Sequence, residues 1–339
     1  MENHELQDAD KARPSIQKQL LMLLAAFSLL CFYFAACWMI DIRFATKEEE
    51  RYSKELQSKA QTAGDMLSGR VKNLENAMDI FRRIYLTEFA GEKRGIGSVI
   101  DLFEEELNSF PELVSLSYMN ATSELVYARG VEGDEGEAAV NASIDWSREY
   151  WARIGPEDEK PFYTPLKLSG RNYLQGILFP VAMDEKIAGA LIAVTDAGTV
   201  ASKSLELVSV SDGTAAMLLD TNGSVIASVK NGDSSKAPVA AFITKDFMKK
   251  ALSRQNGVQI LKSAGDKKAG KSWLSGKLIV AWQQTRLGSK DAVIVIASPK
   301  ENAGRIFKNA RFTHMVLEFI FALIASLVIA VVMLRHNKP

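Results

Sequence analysis

Histidine and cysteine are nearly absent from this chain, and their positions matter more than their number. The only cysteines are Cys31 and Cys37, and the only histidines are His4, His314 and His336, so residues 42 to 311 contain neither. That stretch cannot hold a disulfide, a Ser-His-Asp or Cys-His nucleophilic apparatus, a Cys- or His-ligated zinc, an ordinary haem or an iron–sulfur cluster. Carboxylate chemistry and carboxylate-bound calcium survive the exclusion, but no paired-acid constellation is visible. The expectation is therefore a protein without cofactor or metal that is not an enzyme. Net charge is missing too, with 41 Lys and Arg balancing 41 Asp and Glu over 339 residues. Setting aside the five basic and six acidic residues outside 42 to 311 leaves 36 against 35 inside it. A nucleic-acid partner needs a basic surface, so none is expected. Hydrophobic content of 47% and charged content of 24% exclude a disordered or fibrous chain, and the length suggests two modules.

What is present is two long apolar runs near the ends. Leu20 to Ile40 is free of charge and, as a helix rising ~1.5 Å per residue, would extend roughly 31 Å, enough for a bilayer core. A cleaved signal peptide has a shorter apolar region of about 7–15 residues. Tyr33 and Trp38 suit interfacial positions, and Asp41 with Arg43 closes the run. Met315 to Leu334 is the second run, closed by Arg335, His336 and Lys338. The reading is a two-pass protein of a bacterial inner membrane. Cytoplasmic tails would comprise 1–19 and 335–339, the spans 20–40 and 315–334, and one extracytoplasmic loop 42–311. Basic residues flank the first span on both sides, and long loops cross largely regardless of charge, so orientation rests on the commoner arrangement. Glu318 lies inside the second run, where a carboxylate is costly; bonding to a neighbouring span, protonation and snorkelling all fit it.

The loop opens with helical periodicity. Leu56, Ala60, Ala63, Leu67, Val71, Leu74, Met78, Phe81 and Tyr85 recur in steps of three and four, without proline from Phe44 to Phe89. The segment 42–90 is therefore read as a spine helix with one packing face, tolerating Gly64 and Gly69. GEKRGIG ends it, and a short helix is expected over Ser98 to Ser109. Strand signals follow in LVSLSYM, ELVYARG, NYLQGILFPVAM and KIAGALIAVTD, then in TAAMLLD, SVIASV, GVQILKS, KLIVAWQQT and AVIVIASP. Asn120-Ala121-Thr122 and Thr221-Asn222-Gly223 read as hairpin turns. Asp220 to Gly223 lacks the remaining ligands of a calcium loop. Thr199 to Ser209 reads as a connecting helix and Pro299 to Phe312 as a helix leading into the second run.

This order resembles the extracytoplasmic double-Cache, PAS-like sensor domains of bacterial receptors. The residues carrying the resemblance are SREYWARI (Ser147 to Ile154), PFYTPLKL (Pro161 to Leu168), the pair from Asn172 to Val200, and AAMLLDTNGSVIAS (Ala215 to Ser228). It implies an α+β fold of two stacked antiparallel-sheet modules on a long N-terminal helix. The distal module would be 91–200, the proximal module 201–298, and an exit helix 299–314. In amino-acid-binding members, the distal module carries an Arg-x-Trp-Tyr cluster, a later tyrosine and an aspartate ending the last distal strand. The corresponding ligand-binding residues here are Arg148, Tyr150 and Trp151 in swapped order, Tyr163, and Asp196. Arg suits a bidentate grip on a carboxylate, the aromatics can face an ammonium, and Asp can pair with it. The family's tyrosine five positions before the arginine is Ser143 in this chain, which weakens amine recognition but not carboxylate recognition. Bland roles fit the same residues: Tyr150 and Trp151 as core aromatics, Arg148 paired with Glu149 or Asp145, and Asp196 as a helix cap.

The resemblance implies a membrane-bound sensor of a small carboxylate, an amino acid among the candidates. It also implies parallel homodimers along the spine helix, and output through a separate signalling protein or a region outside this sequence. A non-sensory envelope platform using the same fold for assembly is the alternative.

Overall fold

The computed structural model describes residues 3–86, 96–151, 160–170, 172–183, 186–208, 213–230, 242–263, 276–288, 290–303 and 316–322, with 324, 325 and 328; side chains are described from Leu24, excluding 25, 26, 29, 96–99, 150, 151, 263 and 276. The chain divides into two compact units, Ser53–Lys300, and Met1–Tyr52 with Glu301–Pro339.

Helix α1, Asn3–Phe81, contributes to both units. Within the larger unit its apolar stripe is buried as the periodicity requires. Leu56, Ala60, Ala63, Leu67, Leu74, Met78 and Phe81 are each at most 6% exposed. Regular α-helix reaches Phe81 and gives way to a π-helical turn, Arg82–Leu86, and residues 87–90 of the expected spine helix lie outside the described residues. Arg82 explains the widened turn: its guanidinium is buried and bonds both the Pro180 carbonyl and Asp79, which draws the backbone toward the sheet.

The first sheet is built from β1 (Leu113–Asn120), β2 (Leu125–Gly130), β3 (Phe162–Tyr163), β4 (Lys167–Ser169), β5 (Asn172–Met183) and β6 (Lys186–Asp196). Its strand order is β2-β1-β6-β5-β3, with β4 also on β5. The second contains β7 (Ala215–Leu219), β8 (Val225–Lys230), β9 (Asn256–Ser263), β10 (Gly276–Leu287) and β11 (Lys290–Pro299), in the order β8-β7-β11-β10-β9. All described pairings are antiparallel, and both sheets repeat one plan: an initial hairpin whose first strand lies beside the module's last.

Both hairpin turns form at the expected positions. Asn120 Oδ1 accepts from the backbone of Thr122 and Glu124, with Ser123 at φ 65°. Asp220 Oδ1 accepts from Asn222 and Ser224, with Gly223 at φ 87°, a conformation that glycine adopts without strain.

Each sheet lies between helices. One face of the first sheet packs Leu116, Tyr118, Ile177, Phe179 and Leu191 against Leu74, Met78 and Phe81 of α1 and Phe103 of α2, Ile96–Ser109. Its other face packs Val114, Leu178, Ile192 and Val194 against α3, Asp134–Trp151, through Ala139, Ala142 and Trp146. The second sheet packs Met217, Val280, Trp282 and Val295 against Phe247, Met248 and Ala251 of α5, Lys245–Ser253. The opposite face approaches α1, where a Cβ on Gly64 would lie 3.3 Å from Gln283 Cγ and 3.8 Å from Ile294 Cδ1. Helix α4, Ala197–Glu206, connects the sheets. Glu112 ties it to the spine, accepting from Lys203 Nζ at 3.1 Å and Arg70 Nη1 at 3.2 Å.

The smaller unit holds the two terminal apolar runs. Phe27, Phe32, Trp38, Phe319 and Phe321 are 61–79% exposed, and the Tyr33 and Phe321 rings stack with centroids 5.8 Å apart. Among the described residues no helix is long and apolar enough to cross a membrane. Much of Leu20 to Ile40 and of Met315 to Leu334 falls outside the residues whose side chains are described, so the spans rest on the sequence. The helix expected over Pro299 to Phe312 begins as α6, Lys300–Ala303, and its remainder lies outside the described residues.

Candidate functional site

The α3 face of the first sheet is where the sequence concentrates its candidates. Helix α3 begins with Asp134, Glu135 and Glu137, which suit the positive end of the helix dipole, and presents Ala139, Ala142 and Trp146 to the sheet. Small residues let it sit close. Ser143 and Ser117 are both fully buried, and their hydroxyls lie 3.0 Å apart across the helix–sheet seam. Ser143 also donates to the Val140 carbonyl at 2.7 Å. A tyrosine cannot occupy that site without lifting the helix, which gives Ser143 its physical reason. Trp146 stands over Gly176 of β5, where a Cβ would come within 2.7 Å of ring carbon Cε3. The centre of this face is thus filled by protein.

Arg148 lies beyond the filled centre, near the C-terminus of α3, and is exposed. It makes no ion pair among the described residues. Asp145 is engaged by Lys167 Nζ at 3.2 Å, on the surface. The side chains of Tyr150 and Trp151 lie outside the described residues, as do residues 152–159.

Asp196 ends β6 two residues after Val194, so strand alternation puts it on the α3 face, 7% exposed. Its carboxylate is committed to capping α4. It accepts from the backbone N–H of Gly198 and of Thr199, both at 3.0 Å, and from Thr199 Oγ1 at 2.6 Å. The capping role considered for this residue is the one observed.

Tyr163 belongs to the opposite face. Its ring packs on the spine-side cluster while its neighbour Phe162 packs on the α3 side. The hydroxyl donates to Glu75 Oε2 of α1 at 2.9 Å. Burial, with the adjoining Glu75 carboxylate, pushes the phenol well above the ordinary tyrosine range. Asp196 lies on the sheet face that α3 covers, and Tyr163 on the opposite face. Arg148, two residues after the sheet-facing Trp146, is about half a helical turn away from it and points to solvent.

Grooves open among the described residues of the larger unit. One, of about 460 Å³, lies between the first turn of α3 and the β4–β5 hairpin, lined by Asp134, Glu135, Ala138, Ser169, Asn172 and Leu174. Another, of about 630 Å³, separates α1 from the second sheet and is lined by Asp65, Gln255, Gln283, Gln284, Arg286 and Asp291 among others. Its polar groups are largely engaged by the protein. Gln284 donates to the Ala251 and Leu252 carbonyls, and exposed Arg286 and Asp291 pair at 3.4 Å. Among the described residues no group of three His, Cys, Asp or Glu is arranged to hold a metal.

No family model and no curated protein sequence matches the chain. Solved structures do. The extracellular domain vpHK1S-Z8, assigned to a histidine kinase, superposes with a TM-score of 0.55 at 12% identity, covering 77% of this chain and 95% of its own. A domain assigned to the sensory box/GGDEF family from Vibrio parahaemolyticus gives 0.53 at 12% identity, covering 76% and 100%. The chain shares the fold of these sensory domains, as the resemblance implied. The likeness is one of fold, and it agrees with two sheets of one strand plan on a shared spine. The sequence pattern missed α3, whose apolar stripe is only Ala139, Ala142 and Trp146. A reader weighting that i, i+3, i+7 spacing after an acidic start would find the helix, but not the Trp146–Gly176 contact.

Proposed function

We propose that the chain is a membrane-anchored extracytoplasmic sensor module whose distal α3 face binds a small carboxylate-bearing ligand. An amino acid is one such ligand. The observation that carries this reading is the Cache-type fold together with Arg148, an exposed guanidinium without an ion pair among the described residues, at the end of the helix covering the distal sheet. A guanidinium offers two parallel donors to a carboxylate. Tyr150 and Trp151 adjoin it in sequence, and Asp196 caps α4 beneath the helix that carries Arg148. The module acts by binding, not by catalysis.

Membrane anchoring is supported by the uncharged run Leu20 to Ile40 and the run Met315 to Leu334. It is supported further by the aromatic and aliphatic side chains exposed on the smaller unit, a surface suited to lipid. On this reading residues 42–311 are periplasmic, α1 connects the first span to both sheets, and ligand binding biases the spans through it. A ligand moves that equilibrium only by its difference in affinity for the two states. Met66 and Ile80 on α1 are 38% and 56% exposed, and Ile84 of the following π-helical turn 49%, which supports a homodimer paired along the spine.

The filled centre of the α3 face favours a second reading, an envelope assembly platform in which this face only stabilises the module. Thermal stability of the full chain in detergent, screened against amino acids, organic acids and amines, separates the two. A sensor gives a compound class that raises the melting temperature in wild type and not in Arg148→Ala. A platform gives a flat screen for folded protein and a partner captured through exposed apolar surface.

A further inference from the structure

We propose that Tyr163, Glu75 and Gly288 form a joint through which the first sheet, the spine helix and the second sheet constrain one another, with Tyr163 as its positioning residue. The Tyr163 hydroxyl reaches across to α1 and donates to Glu75 at 2.9 Å. Its ring lies against the tip of the β10–β11 hairpin of the second sheet. Gly288 occupies that tip at φ 61°, and a Cβ there would overlap the Tyr163 ring and come within 2.6 Å of Gln175 Nε2. Gln175, 3% exposed, fastens the same tip by donating to the carbonyls of Leu287 and Thr164, both at 3.3 Å. One aromatic side chain therefore touches all three bodies, and its one hydrogen bond faces the helix that continues toward the N-terminus.

The geometry is adjustable in a way a packed core is not. The bond joins a neutral hydroxyl to a carboxylate, and the site is only half-buried, so a small rotation of β3 trades it for water. Gly288 has no side chain to wedge the tip in place. A shift of the first sheet relative to α1 thus releases or tightens the hairpin without unfolding either module. The inference holds whether or not the distal face binds a ligand, so its test stands apart from the proposed function.

Amide hydrogen exchange on the full chain in detergent decides it, comparing wild type with Tyr163→Phe, Glu75→Ala and the double variant. Tyr127→Phe, which alters an aromatic of the same core on β2, serves as the control. If the joint transmits, each single substitution raises exchange at Arg286, Leu287 and Asp291 by about tenfold, as expected for the loss of one charge-assisted bond in a local opening. The double variant adds nothing further, because the two side chains act as one contact, and Tyr127→Phe leaves the hairpin unchanged. Gly288→Ala should raise exchange in the opposite direction, at Tyr163 and Gln175 of the first sheet. Unchanged hairpin exchange in both single variants, or fully additive effects in the double, overturns the proposal. Should Gly288→Ala fail to fold, the Tyr163 and Glu75 variants still decide it.

Discussion

Asp196 offers a sharp test, because it was read as a ligand residue and also performs a structural task. Its carboxylate accepts three hydrogen bonds, two from orphan backbone donors of α4 and one from the Thr199 hydroxyl, at 7% exposure. Removing an N-cap of this kind costs about 1–2 kcal/mol. For a unit the size of Ser53–Lys300, each kcal/mol shifts the melting temperature by roughly 2–4 °C. Asp196→Ala should therefore melt about 2–8 °C lower by calorimetry. Asparagine caps a helix about as well as aspartate, so Asp196→Asn should recover most of the loss while removing the negative charge. A ligand ammonium paired with Asp196 would show as lost binding in the asparagine variant at near-normal stability. The capping argument is refuted if Asp196→Ala melts with wild type, or if asparagine is as damaging as alanine.

Other outcomes follow from particular contacts. Gly176→Ala should destabilise by about 1–3 kcal/mol through overpacking against Trp146, and the same change in a Trp146→Ala background should be nearly neutral; equal effects in both backgrounds would contradict the contact. Burial and the neighbouring Glu105 raise the Glu106 carboxyl above its ordinary 4.5. The folded state thus holds that proton more tightly, and stability rises as pH falls from above the raised value toward 4.5. Glu106→Gln should be more stable than wild type at neutral pH, with the gain shrinking in acid, as followed by urea unfolding across pH. Tyr163 keeps its proton in the fold beyond the pH where a free tyrosine, near 10.0, ionises. Its contribution is full below that pH and is lost as pH rises beyond it, so Tyr163→Phe should flatten the alkaline fall in stability.

The strands were the most legible part of the chain. Each segment read as a strand is one, within two residues at either end, because alternating β-branched runs between Gly and Asn turns leave few other conformations. The spine was equally legible up to Phe81, where a buried arginine, not an apolar residue, took the next turn. Helices α3 and α5 were missed, each having a stripe of only three buried apolar residues. Thr244, whose side chain caps α5, and Asp246 in its first turn were the available signals.

The candidate site was legible as chemistry and not as placement. Residue type suggested Tyr163 for a ligand, but β3 is two residues long, and whether its tyrosine or its phenylalanine faces α3 depends on the pairing Tyr163–Ile177. Pairing of that kind is a tertiary choice. Asp196 carried both meanings in the sequence, and the bonds to Gly198 and Thr199 give it one of them.

Titration calorimetry of the full chain in detergent, using whichever carboxylate the stability screen selects, tests the central claim most directly. Saturable binding in wild type should fall at least about tenfold in Arg148→Ala, the loss expected when a charge-assisted guanidinium–carboxylate contact is removed, with the melting temperature unchanged. Equal affinity in wild type and Arg148→Ala would contradict it.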